Sequence, residues 1–347
     1  MFGYNRLPVP PAKIIPIISL DYPKVYEWEW IVVRILVTGG AGFIGSHFVT
    51  LLLTDSKISQ NVSKLTVLDD LTYASDVSRL KGVSDNLGFS FVKGSILNSE
   101  LMCSLVDEHD IVFNFAAETH VDNSISSPNI FVQTNVLGVQ VLINSLIGKE
   151  GKRLVHVSTD EVYGEKLSGS STEGDILNPS SPYSGSKAAA EMLIFAAART
   201  YGVNFIITRG SNTFGPGQFP EKIIPKFIRC AIAGEEVPVY GDGQQSREWL
   251  HATDHARGIW LGGIYSEPNT IFNIGSGVEM TNLELIGAIN SIRPDFQLRA
   301  KFVKDRPGHD RRYSLDSSKA RRLLDFTPQI PFLDGLRMTL HEELQKA

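Results

Sequence analysis

The chain has 347 residues, of which 42% are hydrophobic and 20% charged, and these values exclude a disordered, collagenous or low-complexity protein. Its 33 basic and 38 acidic side chains give a net charge of −5, which argues against a nucleic-acid-binding surface. Two cysteines, Cys103 and Cys230, exclude a disulfide scaffold and a zinc cluster and favour a reducing, cytoplasmic setting, and no apolar run is long enough to predict a membrane span.

The first 31 residues differ from the rest of the chain. They contain four prolines before residue 17 and end in an aromatic patch, Tyr26–Trp30. The apolar run Ile14–Ile18 is interrupted by a proline and is too short for a signal peptide. We therefore predict that residues 1–31 are an N-terminal extension outside the fold, either mobile or packed at an edge. The regular pattern begins at Val32 or Val33, and our hypothesis is that the natural start lies there.

From residue 31 onward, short apolar runs rich in Val and Ile alternate with helical stretches. The predicted strands are Ile31–Thr38, Lys64–Asp69, Phe89–Lys93, Ile111–Ala116, Leu154–Ser158 and Asn204–Thr208. The predicted helices include Ser46–Leu53, Val132–Leu146 and Lys187–Tyr201. This alternation predicts an α/β fold of the Rossmann type, a doubly wound parallel sheet that binds ligands beyond the carboxyl ends of its strands.

The pattern becomes irregular after Gly210, where Pro and Gly clusters replace the alternation. A chain of this length predicts about two domains. We assign residues 32–210, with a later contribution near 250–275, to the sheet domain. Residues 211–249 and 276–347 are predicted to form a smaller C-terminal domain that closes over the edge of the sheet and binds the substrate.

A glycine loop, Gly39–Gly45, follows the first predicted strand with the spacing G-x-x-G-x-x-G. Such glycines permit a tight turn and let backbone N–H groups approach a pyrophosphate, to which a helix N-terminus adds partial positive charge. Asp69 ends the next strand, where a carboxylate can bond a ribose diol and would repel a 2′-phosphate. The combination predicts NAD rather than NADP; a glycine turn without a ligand is the alternative.

Tyr183 and Lys187 form a Y-x-x-x-K pair. Positions i and i+4 share one face of a helix, and an ammonium beside a phenol is expected to lower the pKa of the phenol. The pair therefore predicts a base that takes a hydroxyl proton while a hydride leaves the same carbon. By itself the motif is common by chance and favours an exposed Tyr–Lys contact, but in combination with the upstream glycine loop it favours the catalytic interpretation.

Two acids follow the predicted strand Leu154–Ser158, in the triplet Thr159, Asp160 and Glu161. They fall at the edge where a parallel sheet binds its ligands. Adjacent carboxyl groups can serve as proton donor and acceptor when their surroundings separate their pKa values. Oxidation of an alcohol needs neither group, so the triplet predicts additional proton chemistry such as elimination of water. Solvated loop acids are the alternative.

These elements, in this order, resemble the extended short-chain dehydrogenases/reductases, and more narrowly the nucleotide-sugar 4,6-dehydratases that act on dTDP-glucose. The resemblance runs from about Arg34 to the C-terminus. It is carried by the stretches Thr38–Phe48, Leu71–Ala74, Phe115–Ile125, Val157–Gly164, Ser181–Lys187, Gln218–Pro225, Tyr240–His255 and Asp305–Tyr313. The Thr-Asp-Glu triplet is the part most specific to dehydratases.

The resemblance implies a mechanism. Tyr183 would be the base at the sugar 4-hydroxyl, supported by Lys187, and Thr159 would bond the same hydroxyl. Hydride would pass from C4 to NAD⁺; Glu161 would then remove the C5 proton and Asp160 would protonate the departing 6-hydroxyl before the hydride returns to C6. The cofactor would stay tightly bound, and the protein would be a cytoplasmic homodimer with a small nucleotide-sugar substrate and no nucleic-acid or membrane partner.

The binding residues that the resemblance implies fall into two groups. The cofactor group is Gly39, Gly42, Phe43, Ile44, Gly45, Asp69, Thr72, Ser95, Ile96, Ala116, Thr134, Tyr183 and Lys187. The substrate group is Thr119, Thr159, Asn212, Glu221, Lys222, Ile223, Tyr240, Arg247, Arg306 and His309. Taken singly, Arg247 and Arg306 are better explained as members of surface ion pairs, and His309 is equally consistent with a structural histidine. No histidine shows metal-ligand spacing with the cysteines, so we predict no metal.

Three stretches depart from the family pattern: Gly94–Ile96, Val121–Ser124 and Asn212–Gly217. The first bears on the adenine contact; the other two leave the base and the sugar of the substrate open. The alternatives are a 4-epimerase, a decarboxylase or a dehydratase of a UDP-sugar. A nucleotide-sensing protein without chemistry is the alternative from another class, and the intact catalytic residues argue against it.

Overall fold

A computed structural model of the chain describes residues 32–86 and 88–346, so the predicted extension lies outside the described residues. The strands are β1 Val33–Thr38, β2 Val62–Asp69, β3 Phe89–Lys93, β4 Ile111–Asn114, β5 Arg153–Thr159, β6 Asn204–Gly210, β7 Asn212–Phe214, β8 Val237–Tyr240, β9 Ser246–His251, β10 Thr270–Ile274, β11 Glu279–Thr281 and β12 Ala300–Val303. The α-helices are α1 Phe43–Thr54, α2 Ser56–Ser59, α3 Ser99–Glu108, α4 Val121–Ser126, α5 Pro128–Phe131, α6 Gly138–Leu146, α7 Pro182–Tyr201, α8 Ile223–Ala233, α9 Ala252–Tyr265, α10 Asn282–Ile292, α11 Ser318–Leu324 and α12 Phe332–Lys346.

A seven-stranded sheet lies at the centre of the described chain, in the order β10-β6-β5-β4-β1-β2-β3. Its neighbouring strands are parallel throughout. The strand order reverses between β1 and β4, which leaves a crevice at their carboxyl ends. The predicted fold, an α/β protein with a doubly wound parallel sheet, is confirmed.

Helices cover both faces of this sheet, which explains why its strands are continuous apolar runs. Ile35 and Val37 of β1 belong to the core under α1, α9 and α11, whereas Leu36 belongs to the core under α3, α6 and α7. Successive residues of a strand point to opposite faces, so each strand contributes to both cores.

The helical stretch 128–146 changes its winding midway. The segment Val132–Leu137, between α5 and α6, is a π-helix. Such segments are rare and occur frequently at functional sites. Here Thr134 lines the cleft described below, and Asn135 is buried. The local winding therefore supplies polar groups from a helix that is otherwise apolar on its inner side.

A smaller body follows Gly210. It contains the sheet β11-β9-β7 and the parallel pair β12-β8. Residues of α8, α10 and α12 pack against these strands around Phe214 and Leu336. Between these segments the chain returns to the main sheet, where α9 packs on α1 and β10 pairs with β6. The predicted division at residues 210, 249 and 276 stays a prediction.

Two helices begin earlier than predicted. Helix α1 begins at Phe43 rather than Ser46, because Gly42 is its cap residue and the last part of the glycine motif, Phe43–Gly45, forms the first turn of the helix. Helix α7 begins at Pro182 rather than Lys187, because Ser181 forms a capping box with Ser184 and proline is favourable in the first turn. In both cases a residue type that is typical of loops, glycine in α1 and proline in α7, stands at the start of the helix.

Candidate active site

A cleft opens at the carboxyl ends of the central strands. Every residue predicted to bind the cofactor lines it: Gly39, Gly42, Phe43, Ile44, Gly45, Asp69, Thr72, Ser95, Ile96, Ala116, Thr134, Tyr183 and Lys187. The triplet Thr159, Asp160 and Glu161 lines the same cleft. The fold thus brings together groups that are far apart in sequence; their individual roles stay predictions.

The glycine loop is shaped so that side chains do not fit. Gly39 has a φ of +74°, and a Cβ there would lie 2.6 Å from the backbone nitrogen of Ala116. A Cβ on Gly45 would lie 2.9 Å from the Cα of Gly40 and closer still to the carbonyl oxygen of Gly39. Gly42 caps α1 without a side-chain bond, so the first N–H groups of the helix are open to a ligand. This arrangement fits the pyrophosphate of a dinucleotide.

Asp69 fastens this loop to the end of β2. It is buried, and its two carboxylate oxygens accept hydrogen bonds from the N–H groups of Ala41 (2.9 Å) and Leu71 (2.8 Å). A carboxylate oxygen can accept more than one hydrogen bond, so bonding to a ribose diol remains open. Asp69 therefore has a structural role besides the predicted one.

Tyr183 lies in the first turn of α7 and is buried. Burial raises the pKa of its phenol above the ordinary value, and the charges of Glu161 and Asp160 raise it further, while a hydrogen bond with Thr159 opposes the shift. The structure thus contradicts the predicted lowering of this pKa by Lys187.

Lys187 does not lower the pKa of Tyr183 because its amine is directed elsewhere. Its Nζ donates to the carbonyl oxygen of Val157 at 2.7 Å and lies 3.4 Å from Nε2 of His156. Burial lowers the pKa of Lys187 to about 8, although the charge of Glu191 raises it. The amine therefore titrates much closer to neutrality than an exposed lysine.

Thr159 organises the acidic triplet. It is the last residue of β5, and its hydroxyl caps the 3₁₀-helix Asp160–Tyr163 by accepting from the N–H of Glu161 at 3.3 Å. The same hydroxyl donates to Oδ1 of Asp160 at 3.1 Å. Both acids are thereby held at the end of the strand, beside Tyr183.

The two acids differ in their electrostatic surroundings. Burial raises the pKa of Asp160 well above its ordinary value, and the nearby charges of Glu161 and Glu248 add to this shift. Burial also raises the pKa of Glu161, but three cations oppose that shift: Arg247, Arg306 and Lys222. Asp160 is thus suited to donate a proton and Glu161 to accept one.

Five buried polar atoms in the cleft lack a hydrogen-bond partner within the described residues. They are Oδ2 of Asp160, Oγ of Ser211, Oδ1 of Asn212, Oε1 of Gln218 and Nε2 of His255. Buried polar groups are nearly always hydrogen-bonded, so a concentration of exceptions in one cleft indicates the place of a polar ligand.

The predicted substrate residues divide into two sets. Thr119, Thr159, Asn212, Glu221 and Lys222 line the cleft, whereas Ile223, Tyr240, Arg247, Arg306 and His309 lie outside its lining. The two arginines nonetheless lie close enough to affect the pKa of Glu161. The structure thus places the second set at the margin of the cleft or beyond it.

Most polar groups of this second set already have protein partners, whereas Nε of Arg306 has none among the described residues. Arg247 donates to the carbonyl oxygens of Ser246 (2.8 Å) and Asp310 (3.0 Å). Nη1 of Arg306 lies 2.9 Å from Oδ1 of Asp122 on α4, which is distant in sequence. Sequence reasoning considered ion pairs for both arginines, and Arg306 forms one.

His309 and Tyr240 are engaged in the same region. Nδ1 of His309 lies 2.6 Å from Oδ1 of Asp305, and the Tyr240 hydroxyl donates to Oδ2 of Asp122 at 3.4 Å. The rings of Tyr240 and His309 meet edge to face. Their predicted roles in substrate binding stay predictions.

Sequence reasoning missed Asn135. Its amide bonds both the N–H and the carbonyl oxygen of Glu118, and its Nδ2 donates to Oγ of Ser186 at 2.8 Å. It therefore ties the loop after β4 to α7, just before Lys187. The sequence feature that could have indicated it is a polar Asn among the apolar residues of the predicted helix Val132–Leu146.

The cleft also contains aromatic and histidine side chains that the sequence analysis did not select. Tyr73 and Phe219 meet edge to face at 5.4 Å between ring centroids, from opposite sides of the cleft. His255 lines the cleft with its Nδ1 2.7 Å from Oγ1 of Thr213. All three lie in stretches that carry the family resemblance, but none was predicted to bind a ligand.

The described part of the chain contains neither a metal-binding cluster nor a membrane-spanning helix. No group of three or more His, Cys, Asp or Glu side chains within residues 32–86 and 88–346 is placed to hold a metal ion. None of the described helices is both long and apolar enough to cross a membrane.

Comparisons with known proteins agree with this geometry. The family model described as GDP-mannose 4,6-dehydratase matches residues 36–339. A dTDP-glucose 4,6-dehydratase of Actinoplanes sp. is 46% identical over 308 residues, which cover 88% of this chain and 96% of that protein. DesIV, a dTDP-glucose 4,6-dehydratase of Streptomyces venezuelae solved with NAD bound, has a TM-score of 0.86 at 44% identity and covers 90% of this chain and 97% of its own. A UDP-glucose 4-epimerase of Thermotoga maritima has a TM-score of 0.81 at 31% identity, over 90% and 99% of the two chains.

Proposed function

The chain belongs to the GDP-mannose 4,6-dehydratase family, and from this premise we propose that it removes water from dTDP-glucose to give dTDP-4-keto-6-deoxyglucose. Family membership confirms the predicted resemblance. The observation that carries the proposal is the pair Asp160 and Glu161, two carboxyl groups of raised pKa beside Tyr183 at the end of β5. A 4-epimerase has no need of a proton acceptor at C5. The dTDP-glucose enzymes among its relatives support the base and the sugar.

NAD⁺ is the cofactor that the cleft fits. The Gly39–Gly45 loop would hold its pyrophosphate, Asp69 its adenine ribose and Lys187 its nicotinamide ribose. When bound, NAD⁺ supplies a hydride acceptor for C4, gives the same hydride back at C6 and adds positive charge near the phenol. Because the hydride returns, the reaction consumes no cofactor.

Tyr183 and Thr159 act at the sugar 4-hydroxyl in this proposal. The phenolate of Tyr183 takes the hydroxyl proton as the C4–H bond breaks, and Thr159 bonds the same oxygen. Burial, and then the charges of the two carboxyl groups, raise the pKa of the phenol, so its ionisation depends on added positive charge and on a protonated Asp160.

Glu161 and Asp160 carry the elimination. The 4-ketone acidifies the C5 proton, and the carboxylate of Glu161 takes it, favoured by the three cations around this side chain. The C6–O bond breaks, and the departing hydroxyl takes the proton of Asp160 and leaves as water. When C6 receives the hydride, Glu161 returns its proton to C5. The unpartnered Oδ2 of Asp160 is the atom available for that transfer.

The sugar nucleotide occupies the remaining part of the cleft. Asn212 and Lys222 line it near Glu161, and Arg247 and Arg306 stand at its margin as cations for the diphosphate. Nζ of Lys222 donates to the carbonyl oxygen of Thr119 at 3.1 Å, so this cation already bridges the two sides of the cleft.

We further propose a homodimer that works in the cytoplasm. Val132 and Leu137 are about half exposed on the π-helical segment, as is Met192 on the neighbouring α7, whereas Val139 and Leu142 face the chain's own core. An exposed apolar face on two adjacent helices suits a second copy of the chain.

Sedimentation analysis should give twice the chain mass, and Leu137→Asp should lower the measured mass. A monomeric parent protein would contradict the dimer. The free cysteines suit the cytoplasm.

The decisive experiment uses purified protein without added NAD⁺. It is incubated with dTDP-glucose and separately with UDP-glucose, and the product masses are followed. We expect loss of one water from dTDP-glucose alone. An isomer of unchanged mass would instead indicate an epimerase, and no reaction with either sugar nucleotide would contradict the proposed substrate.

Two variants separate the redox step from the elimination. Glu161→Gln should stop loss of water while still allowing hydride transfer to the bound cofactor, because it removes only the acceptor of the C5 proton. Tyr183→Phe should stop both steps. The matched control is Glu165→Gln, an exposed acid four residues beyond Glu161, which should retain normal turnover. Unchanged turnover of Glu161→Gln would contradict the assignment, as would normal cofactor reduction by Tyr183→Phe.

A further inference from the structure

A row of polar side chains crosses the otherwise apolar sheet beneath Lys187. Thr38 of β1 is in register with Asn114 of β4, and Asn114 with His156 of β5. The same row continues into Leu68 and Ile207 on the outer strands. All three polar residues are at most 1% exposed. Burial of polar groups in an apolar layer is unfavourable unless they are hydrogen-bonded, so this row calls for a reason.

The row is joined by side-chain hydrogen bonds that end at the lysine. Oγ1 of Thr38 donates to Oδ1 of Asn114 at 2.6 Å, and Nδ2 of Asn114 lies 3.0 Å from Nδ1 of His156. Nε2 of His156 lies 3.4 Å from Nζ of Lys187. Burial, with a smaller contribution from the charge of Lys187, holds the pKa of His156 well below its ordinary value. His156 is therefore neutral at physiological pH.

The protons of the lysine can be counted. An ammonium has three donors. One is taken by the carbonyl oxygen of Val157 at 2.7 Å and a second faces His156. One donor remains for the cleft, which Lys187 lines together with Tyr183. By binding the second proton of the ammonium, His156 thus helps to orient the third proton toward the cleft.

The chain of bonds can run in two directions. A neutral imidazole carries one proton, on either of its two nitrogens. The positions of the amide oxygen and nitrogen of Asn114 are assigned from the hydrogen bonds, and the amide can be turned so that the two exchange places. With the proton on Nδ1, His156 donates to the amide oxygen and its Nε2 accepts from an ammonium. With the proton on Nε2, it accepts from the amide nitrogen and donates to a neutral amine. The threonine hydroxyl can serve either direction.

We propose that His156, oriented by Asn114, is a positioning residue for Lys187: it binds one proton of the ammonium and, by reversing the direction of the chain to Thr38, also accommodates the neutral amine. The proposal rests on the proposed function, in which Lys187 holds the nicotinamide ribose in the cleft that it lines together with Tyr183. It assigns to His156 no contact with substrate, cofactor or reacting atoms.

Few charged groups compete with this contact. Within residues 32–86 and 88–346, Lys187 is the only charge that shifts the pKa of His156, and Glu191 is the only one that shifts that of Lys187. Glu191 is itself paired with Arg209 at 2.5 Å, between Oε2 and Nη2, and accepts from Oγ of Ser158. A substitution of Glu191 would disturb several contacts at once, whereas a substitution of His156 removes its contact with Lys187 and leaves the pair of Glu191 and Arg209 in place.

The test compares His156→Phe with His109→Phe in the purified holoprotein. His109 is an equally buried histidine with two hydrogen bonds, at the opposite end of the sheet from Lys187. His156→Phe should lower kcat about 100-fold by misplacing the amine, with KM little changed. The ammonium loses an acceptor, so the alkaline limb of the kcat–pH profile should move to lower pH by about one unit. His109→Phe should change neither.

Two more measurements keep the inference open to refutation. His156→Gln can donate or accept by rotation of its amide and should restore most of the pH profile, and Asn114→Leu should shift the profile in the same direction as His156→Phe. The NAD content of purified His156→Phe should fall severalfold, because Lys187 also holds the nicotinamide ribose.

Each outcome has one meaning. A folded His156→Phe with the kcat, pH profile and NAD content of the parent overturns the inference; if this variant does not fold, an unshifted profile of Asn114→Leu overturns it. Equal losses in His156→Phe and His109→Phe would indicate a merely structural role, which also overturns it. Failure of the parent protein to dehydrate dTDP-glucose refutes the proposed function instead, and the NAD contents then decide the inference alone.

Discussion

The cleft has a cofactor half, around the glycine loop, and a substrate half, around Lys222 and the two arginines, and different parts of the chain shape them. The cofactor half is shaped by backbone: glycines where no Cβ fits, open N–H groups at the start of α1, and Asp69 bonded to the loop. The substrate half is lined and bordered by charged side chains that already have partners, such as Arg306 with Asp122. The first half is preformed and sensitive to volume, whereas the second must exchange partners when a ligand binds and is sensitive to charge.

The largest effect should come from adding volume to the cofactor half. In Gly45→Ala the new Cβ meets the backbone of Gly39 and Gly40, which cannot move aside as a flexible side chain can. We expect a protein that is purified without NAD and is less stable by about 2–3 kcal/mol. Cofactor content and urea unfolding measure both effects.

The matched control is Gly287→Ala in α10, where a Cβ would meet nothing within 4 Å. This variant should keep its cofactor and gain about 0.5–1 kcal/mol of stability, because alanine favours the helix. If Gly45→Ala is purified with a full complement of NAD, the cofactor half adjusts to the added volume, which contradicts the claim that it is preformed.

The next effect concerns His255, which lies where the two halves meet. Burial lowers the pKa of His255 to about 4. Between the unfolded pKa of 6.5 and this value, the unfolded chain binds a proton that the folded chain does not, so stability falls as the pH falls. Near pH 5 this group should contribute about 1.4 kcal/mol per pH unit to the slope, and His255→Phe should remove that contribution.

Unfolding measured between pH 4 and 7 with saturating NAD⁺ tests this expectation. A variant of the exposed His341 serves as the control and should keep the parent slope. His251, whose pKa burial also lowers to about 4, continues to titrate in the variant, so the slope should become shallower without vanishing. An unchanged slope in His255→Phe would show that this histidine is charged in the folded protein.

The smallest effect should come from the substrate half. Burial raises the pKa of Asp122, but its hydrogen bond with Arg306 and the charge of Arg306 outweigh that, so the net shift is downward and the carboxylate competes with a diphosphate for the arginine. The pair is partly exposed and contributes under about 1 kcal/mol. Asp122→Asn should therefore lower the KM for dTDP-glucose by roughly threefold, mainly at low salt.

The control for this measurement is Asp334→Asn, which removes the partner of Arg337 in a surface pair on α12. Its KM should equal that of the parent protein. A raised KM in Asp122→Asn would mean that Asp122 positions Arg306 for the ligand, in which case the substrate half would be as preformed as the cofactor half.

The fold was largely predictable because its signals are local. Strand β3 has the predicted bounds, Phe89–Lys93, and the other predicted strands differ by no more than a few residues at their ends. A strand buried on both faces is a continuous apolar run, which a single sequence displays. The helix starts at Phe43 and Pro182 were less predictable, because glycine and proline there favour a loop by composition but a cap by position.

The position of the candidate site was more predictable in its cofactor half, where every predicted residue lines the cleft, than in its substrate half, where half of them do. The glycine loop is one contiguous motif, and every residue predicted from it lines the cleft. Arg247 shows the limit in the other half, because its guanidinium donates to the carbonyl of Asp310, whose proximity depends on the tertiary fold. The pKa of Tyr183 was predicted in the wrong direction for the same reason: the partner of Lys187 is a strand carbonyl and not the phenol.

The return of β10 to the edge of the main sheet has a consequence for synthesis. Thr270 pairs with Ile206, and the segment between them contributes strands and a helix to the smaller body. A ribosome must therefore complete much of that body before β6 meets its outer neighbour. Until then β6 is a terminal strand with unpaired backbone groups, which is a site where nascent chains associate wrongly. The order of translation thus couples the maturation of the two bodies, and slow elongation between residues 210 and 270 would prolong the period in which a chaperone is needed.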